Sequence, residues 1–335
     1  MSDHEHPIAT AVVAGGSAGV GRAVVERLIG RGYRVGVLAR GEQRLREMEE
    51  EFGTEWVKGV ACDVAEDAEV KSATREIVAW GGPFEVWVNS AMLTAFSPFK
   101  KMPPEEFEEI VRATFLGQVN GTRAALEHME AGTIVCIGSG LAYRAVPLQT
   151  AYVASKHAIR GFVHALRSEL IADEVPITLS EVQLPGINTP QFDWAQNRLE
   201  DHPQPAPPIY QPDVAARAVM KAIDGGHEEV IVGKPALQLM FGNMLAPGWL
   251  DRIMASAGVS GQKNDDERPH PDRGPNTFEP AEYPSTAYGS FGHRAHDSAI
   301  TVTGGTARAA AFGGPILLAL AAGAAGMAMA QRQRR

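Results

Sequence analysis

Between residue 8 and about residue 232 the chain alternates short, uninterrupted Val/Ile/Leu runs with longer amphipathic stretches. This alternation restricts the fold more than any other feature of the sequence. Residues 8–14, 34–39, 56–62, 85–89, 133–138, 177–183 and 230–232 read as strands. Residues 20–29, 42–52, 67–80, 104–129, 149–172 and 213–224 read as the helices between them. Strands that are apolar throughout need cover on both faces, and helical crossovers make them parallel. The expectation is an α/β fold with a doubly wound parallel sheet of about seven strands.

Of the 335 residues, 44% are apolar and 21% charged, which excludes a wholly disordered chain. The 31 Lys and Arg stand against 40 Asp and Glu, a balance of −9 that repels phosphate backbones, so no nucleic-acid partner is expected. Cys62 and Cys136 lie in apolar runs and read as buried free thiols in a reducing, cytoplasmic setting. Residues 1–7 are polar, lack the pattern of a secretory signal and read as a flexible arm.

Residues 8–256 form the expected domain. Within it, residues 201–212 hold five prolines, which fits either a movable flap over a pocket or a rigid surface loop. Residues 235–255 read as an apolar helix on the domain edge. Residues 257–308 read as a disordered linker: from 258 to 308 only three Val, Ile or Leu stand against five prolines and seven glycines. Such a segment buries too little apolar surface to offset its ordering entropy. His293 and His296 fall there, and no Cys/His cluster marks a metal site. Residues 309–330 carry no charge and are followed by a basic end, but ten of them are alanine. A membrane anchor and a soluble Ala-rich helix both fit this segment.

The first chemical signal follows the first strand: Gly15-Gly16-Ser17-Ala18-Gly19-Val20-Gly21, opening a helix. Glycines there allow a sharp turn, close approach of a pyrophosphate and tight helix–strand packing, and the helix terminus offers free amides to phosphates. The cofactor contacts are expected at Gly15, Ser17, Gly19, Val20 and Gly21. The G-x-x-x-G-x-G spacing resembles the short-chain dehydrogenase/reductase family, whose Rossmann-like fold matches the strand–helix alternation over about residues 8–235. At the end of the second strand, where an acidic residue would hold an NAD ribose, Arg40 stands instead, with Arg22 in the first turn of the helix. Guanidinium groups suit a 2′-phosphate, so NADP(H) is the expected cofactor.

The second signal is Tyr152-Val153-Ala154-Ser155-Lys156, with Ser139 thirteen residues upstream at a strand end. Tyr152 and Lys156 are one helical turn apart and share a face. An ammonium beside a phenol lowers the phenol's pKa toward the range useful for proton transfer, and Ser139 can hydrogen-bond the same substrate oxygen.

The family resemblance then assigns roles. Tyr152 becomes the general acid/base, Lys156 the group that lowers its pKa and binds the nicotinamide ribose, and Ser139 the group that polarises the substrate oxygen. Asp63, Val64 and Asn89 are placed at the adenine edge and in support of the sheet. Pro185 and Thr189 belong to the loop over the nicotinamide. Thr114 stands where the family commonly has an asparagine supporting a water chain to the lysine. Met92 replaces a family glycine. The resemblance also implies a homo-oligomer paired through the fourth and fifth helices. The expected activity is an NADP(H)-dependent oxidoreductase interconverting a carbonyl and a secondary alcohol, on a lipophilic small molecule walled by residues 141–148, Phe192 and Trp194. The rival reading is a non-catalytic dinucleotide-binding scaffold or sensor tethered by its C-terminal segment.

Overall fold

The computed structural model describes residues 9–264 and 274–313. Seven strands form a parallel sheet: β1 (Ala9–Ala14), β2 (Tyr33–Ala39), β3 (Val57–Ala61), β4 (Phe84–Asn89), β5 (Gly132–Ser139), β6 (Ile177–Leu184) and β7 (Glu229–Val232). An eighth, β8 (Thr301–Thr303), pairs antiparallel with β7, so the order across the sheet is β8-β7-β6-β5-β4-β1-β2-β3.

Period-2 geometry sends alternate side chains to opposite faces, and both faces are apolar. One face joins Ala11, Val13, Val35, Val37, Val86 and Val135 to helices α1 (Gly19–Gly30) and α7 (Pro212–Gly225). The other joins Val12, Leu38, Trp87, Ile134 and Cys136 to α3 (Asp67–Gly81), α5 (Gly117–His128) and α6 (Thr150–Ala172). Fully burying one such side chain contributes roughly 1.5–3 kcal/mol, so two such faces supply the driving force for the sandwich. Cys62 and Cys136 are buried free thiols. The strand order reverses between β1 and β4, and a crevice opens at the C-terminal ends of these strands.

Three features depart from the pattern read in the sequence. The helix expected over 104–129 is α4 (Pro104–Val111), a single π turn (Arg112–Leu116) and α5. The apolar segment after β7 is two helices, α8 (Gly233–Leu245) and α9 (Pro247–Ile253), with proline opening the second.

The third departure is a correction: the described part of the expected disordered linker is ordered. Residues 276–291 return across the mouth of the crevice, and β8 then closes the sheet edge, Val302 opposite Ile231. The segment orders because its partner surface is already folded. Its bonds are made to that surface, so its own apolar content is a poor guide to its order. Among the described residues no helix is long and apolar enough to cross a membrane. The arm at residues 1–7 and most of the Ala-rich stretch, 314–330, lie outside the described residues.

Candidate active site

β1 ends in a turn that only glycines can make. Gly15 has φ +82°, and a Cβ on it would stand 2.4 Å from the Ala91 amide nitrogen. A Cβ on Gly21 would stand 2.1 Å from the Gly15 carbonyl oxygen, so α1 starts in contact with the turn itself. The loop, the strand ends and α6 surround one cavity of about 460 Å3. Gly15, Ser17, Gly19, Val20, Arg40, Asp63 and Val64 line its outer end. Ser139, Tyr152, Lys156, Pro185 and Thr189 line its inner end.

Among the expected residues, Gly21, Asn89, Thr114 and Arg22 do not line the cavity. Asn89 is a buried brace: it accepts from Trp87 Nε1 at 2.8 Å and donates to Thr122 Oγ1 at 3.0 Å. Thr114 sits in the π turn with its hydroxyl fully used, donating to the Leu93 carbonyl at 3.0 Å and accepting from the Leu93 amide at 2.9 Å. It pins the loop after β4 and has no bond toward Lys156. Arg22 is buried between Glu26 and Glu51 and lies over the Phe52 ring, so it is no phosphate ligand.

Ser139 ends β5, and its Oγ accepts from the Leu141 amide at 3.1 Å. Lys156 is buried; its Nζ lies 5.4 Å from the centre of the Tyr152 ring and donates to the Ile137 carbonyl at 2.7 Å. Burial lowers the Lys156 pKa to about 8, with Cys136 and Glu181 acting the other way. Burial pushes the Tyr152 phenol up to about 12, while the Ser139 hydroxyl acts to lower it. Burial is the larger influence on both groups and favours the neutral form of each. Helical spacing puts both side chains on one face, and the ammonium gives one of its three donors to the Ile137 carbonyl.

Two residues escaped the sequence reading. Gln118 is buried and donates its amide to the same Ile137 carbonyl at 3.1 Å, while its Oε1 has no partner among the described residues. It stands one helical turn beyond Thr114, and that spacing was the available signal. Arg44, four residues beyond Arg40, lines the cavity with its Nε 3.4 Å from Ser17 Oγ. Burial and the neighbouring Arg40 lower its pKa. Two guanidinium groups facing one cavity favour an anionic ligand.

Behind Lys156, the buried Glu181 faces Arg160 at 3.4 Å, and Arg160 reaches Glu229 at 2.7 Å. His164 stands 4.0 Å from Glu181, which gives three groups close enough to share a cation. Arg160 already supplies positive charge to both carboxylates.

The inner cavity is roofed by Gln204, Pro205, Ala206 and Pro207, with Leu141, Val146, Phe192 and Trp194 on its walls. The proline-rich stretch is tied down on two sides: the Gln204 amide donates to the Gln262 carbonyl at 3.0 Å, and the Tyr210 amide to the Gly186 carbonyl at 2.9 Å. It is a packed roof.

The chain matches the family model for short chain dehydrogenases over residues 9–199. It is 27% identical over 253 residues to the "Uncharacterized oxidoreductase YxnA" of Bacillus subtilis, covering 72% of this chain and 70% of that protein. It is 30% identical over 171 residues to "Carbonyl reductase family member 4" of Danio rerio, covering 50% of this chain and 72% of that protein. In fold it resembles a short chain dehydrogenase from Burkholderia cenocepacia solved in complex with NADP. The TM-score is 0.63 at 24% identity, over 75% of this chain and 98% of that one.

Proposed function

The chain belongs to the short chain dehydrogenase family as one of its oxidoreductases, and from that premise we propose that it interconverts a carbonyl and a secondary alcohol using NADP(H). The observation that carries the proposal is convergence: Ser139, Tyr152 and Lys156 line the same cavity as the glycine turn. The cradle suits a nicotinamide dinucleotide, because the glycine turn and the start of α1 line the cavity at Gly15, Ser17 and Gly19. Arg40, Arg44 and Ser17 form a cationic corner suited to a 2′-phosphate, which supports the phosphorylated cofactor.

When bound, the dinucleotide supplies the transferable hydride. Tyr152 holds the proton exchanged with the substrate oxygen, and Ser139 orients that oxygen. Lys156 carries the positive charge beside them, with a pKa that lets it exchange protons near neutrality. The phenol's high pKa suits it to holding its proton until a more basic oxygen develops. Leu141, Val146, Phe192 and Trp194 favour a lipophilic substrate.

A panel of lipophilic ketones with NADPH tests the reading. Turnover is expected, and Tyr152→Phe is expected to abolish it while NADPH still binds. Saturable NADPH binding without turnover across the panel would favour a dinucleotide-responsive scaffold instead.

A further inference from the structure

We propose that residues 276–291 are part of the dinucleotide site, a clasp that must lift for a nucleotide to enter or leave and that retains it when closed. The clasp comes from chain beyond the segment the family match covers. The inference rests on the dinucleotide reading of the crevice given above.

The segment grips the chain that follows β1 and β2 at the outer cavity. Arg40 donates to the carbonyls of Asn276 at 2.6 Å and of Thr277 and Phe278, each at 3.2 Å. Arg44 donates to the Ala281 carbonyl at 2.7 Å. Ser285 Oγ donates to the Ser17 carbonyl and accepts from Arg22 Nε, both at 3.1 Å. The Gly19 amide, at the terminus of α1, donates to the Thr286 carbonyl at 2.9 Å. On the other side of the mouth, the Phe291 amide donates to Asn188 Oδ1 at 2.9 Å.

The segment covers the crevice without filling it: of its residues, only Asn276 lines the cavity. A plug would occupy the space, whereas a strap along the rim leaves room behind it. The two ends of the clasp are held differently. Phe291 is buried among Phe96, Phe192 and Ile209, and Ala287 joins the main core, which makes this end a hinge. Residues 276–286 contain Pro280 and Pro284 and hold the rim through bonds to individual side chains and amides. Such contacts break one at a time, and phosphate oxygens are stronger acceptors for a guanidinium than the carbonyls now on Arg40. An incoming phosphate therefore takes Arg40 over from the segment, while the bonds of Ser285 to Ser17 and of Phe291 to Asn188 remain to hold it.

Gly289 offers a specific lever. A Cβ there would stand 2.4 Å from the Thr189 carbonyl oxygen, a backbone atom, so a side chain forces the segment outward. NADPH association and dissociation are measured by stopped-flow fluorescence on the full chain, with Gly289→Val and Ser285→Ala. Both rate constants should rise at least tenfold in G289V and in the same direction, by less, in S285A, while Kd moves less than either. Ser285→Ala removes only a hydroxyl and keeps the test valid should G289V fail to fold. Rate constants within twofold of the parent in both variants overturn the clasp, as does faster association alone, which would mark a competitor. A parent protein that binds neither NADPH nor NADH overturns the dinucleotide reading beneath it.

Discussion

Arg44 and Arg40 both line the outer cavity, Arg44 with its Nε 3.4 Å from Ser17 Oγ. A charge-assisted hydrogen bond contributes about 1.5–3 kcal/mol, or roughly 10- to 100-fold in affinity. Arg44→Ala is therefore expected to weaken NADPH binding by roughly that factor and to leave NADH binding within about threefold, by fluorescence titration. Equal losses for both nucleotides would remove the 2′-phosphate from the account. At this scale the sequence was partly legible. Tyr152 and Lys156 share a helix turn, so their spacing alone places them together. Ser139 ends a strand whose apolar run is plain to read. Arg44 was missed because it lies past the strand end where the ribose-binding residue is sought. The ammonium's bond to the Ile137 carbonyl could not be read from spacing, because it depends on where β5 ends relative to α6.

The π turn Arg112–Leu116 shows what an element can hide. Periodicity gives one long helix over this stretch, and the extra residue in the turn leaves the apolar pattern almost unchanged. Its effect is to aim Thr114 at both polar groups of Leu93, a residue on the cavity wall. Thr114→Val keeps the shape but leaves a buried amide and carbonyl unpaired, at a cost of about 1–3 kcal/mol for each group. For a domain of this size, that lowers Tm by about 2–4 °C per kcal/mol. Calorimetry checks this. An unchanged Tm would mean that Leu93 is held by other contacts. The main strands and helices lay close to where the apolar runs put them, since both faces of the sheet demand cover. The clasp and β8 did not, because their order comes from docking on a finished surface.

Taken whole, the molecule carries a buried charge cluster between α6, β6 and β7, and its stability must depend on pH. Glu181 is pushed up to about 7 by burial, against the lowering effects of Arg160, Gln183 and Arg167, with Glu229 adding to the rise. An acid whose pKa is raised on folding binds more protons in the native state, so the stability it contributes is lost as pH climbs from about 4.5 to about 7. Lys156, lowered to about 8, acts in the opposite sense above that value, where stability gains as pH rises toward 10.5. Glu181→Gln should flatten the decline between pH 4.5 and 7 in denaturant titrations; an equally steep decline would assign it to another group. The clasp has one more consequence, and it concerns the order in which the chain is made. At about 5–20 residues per second, the clasp leaves the ribosome roughly 3–12 s after β7, so a nascent chain presents an open nucleotide cradle before its own lock exists. Cofactor can be loaded at birth and shut in by polypeptide that emerges later.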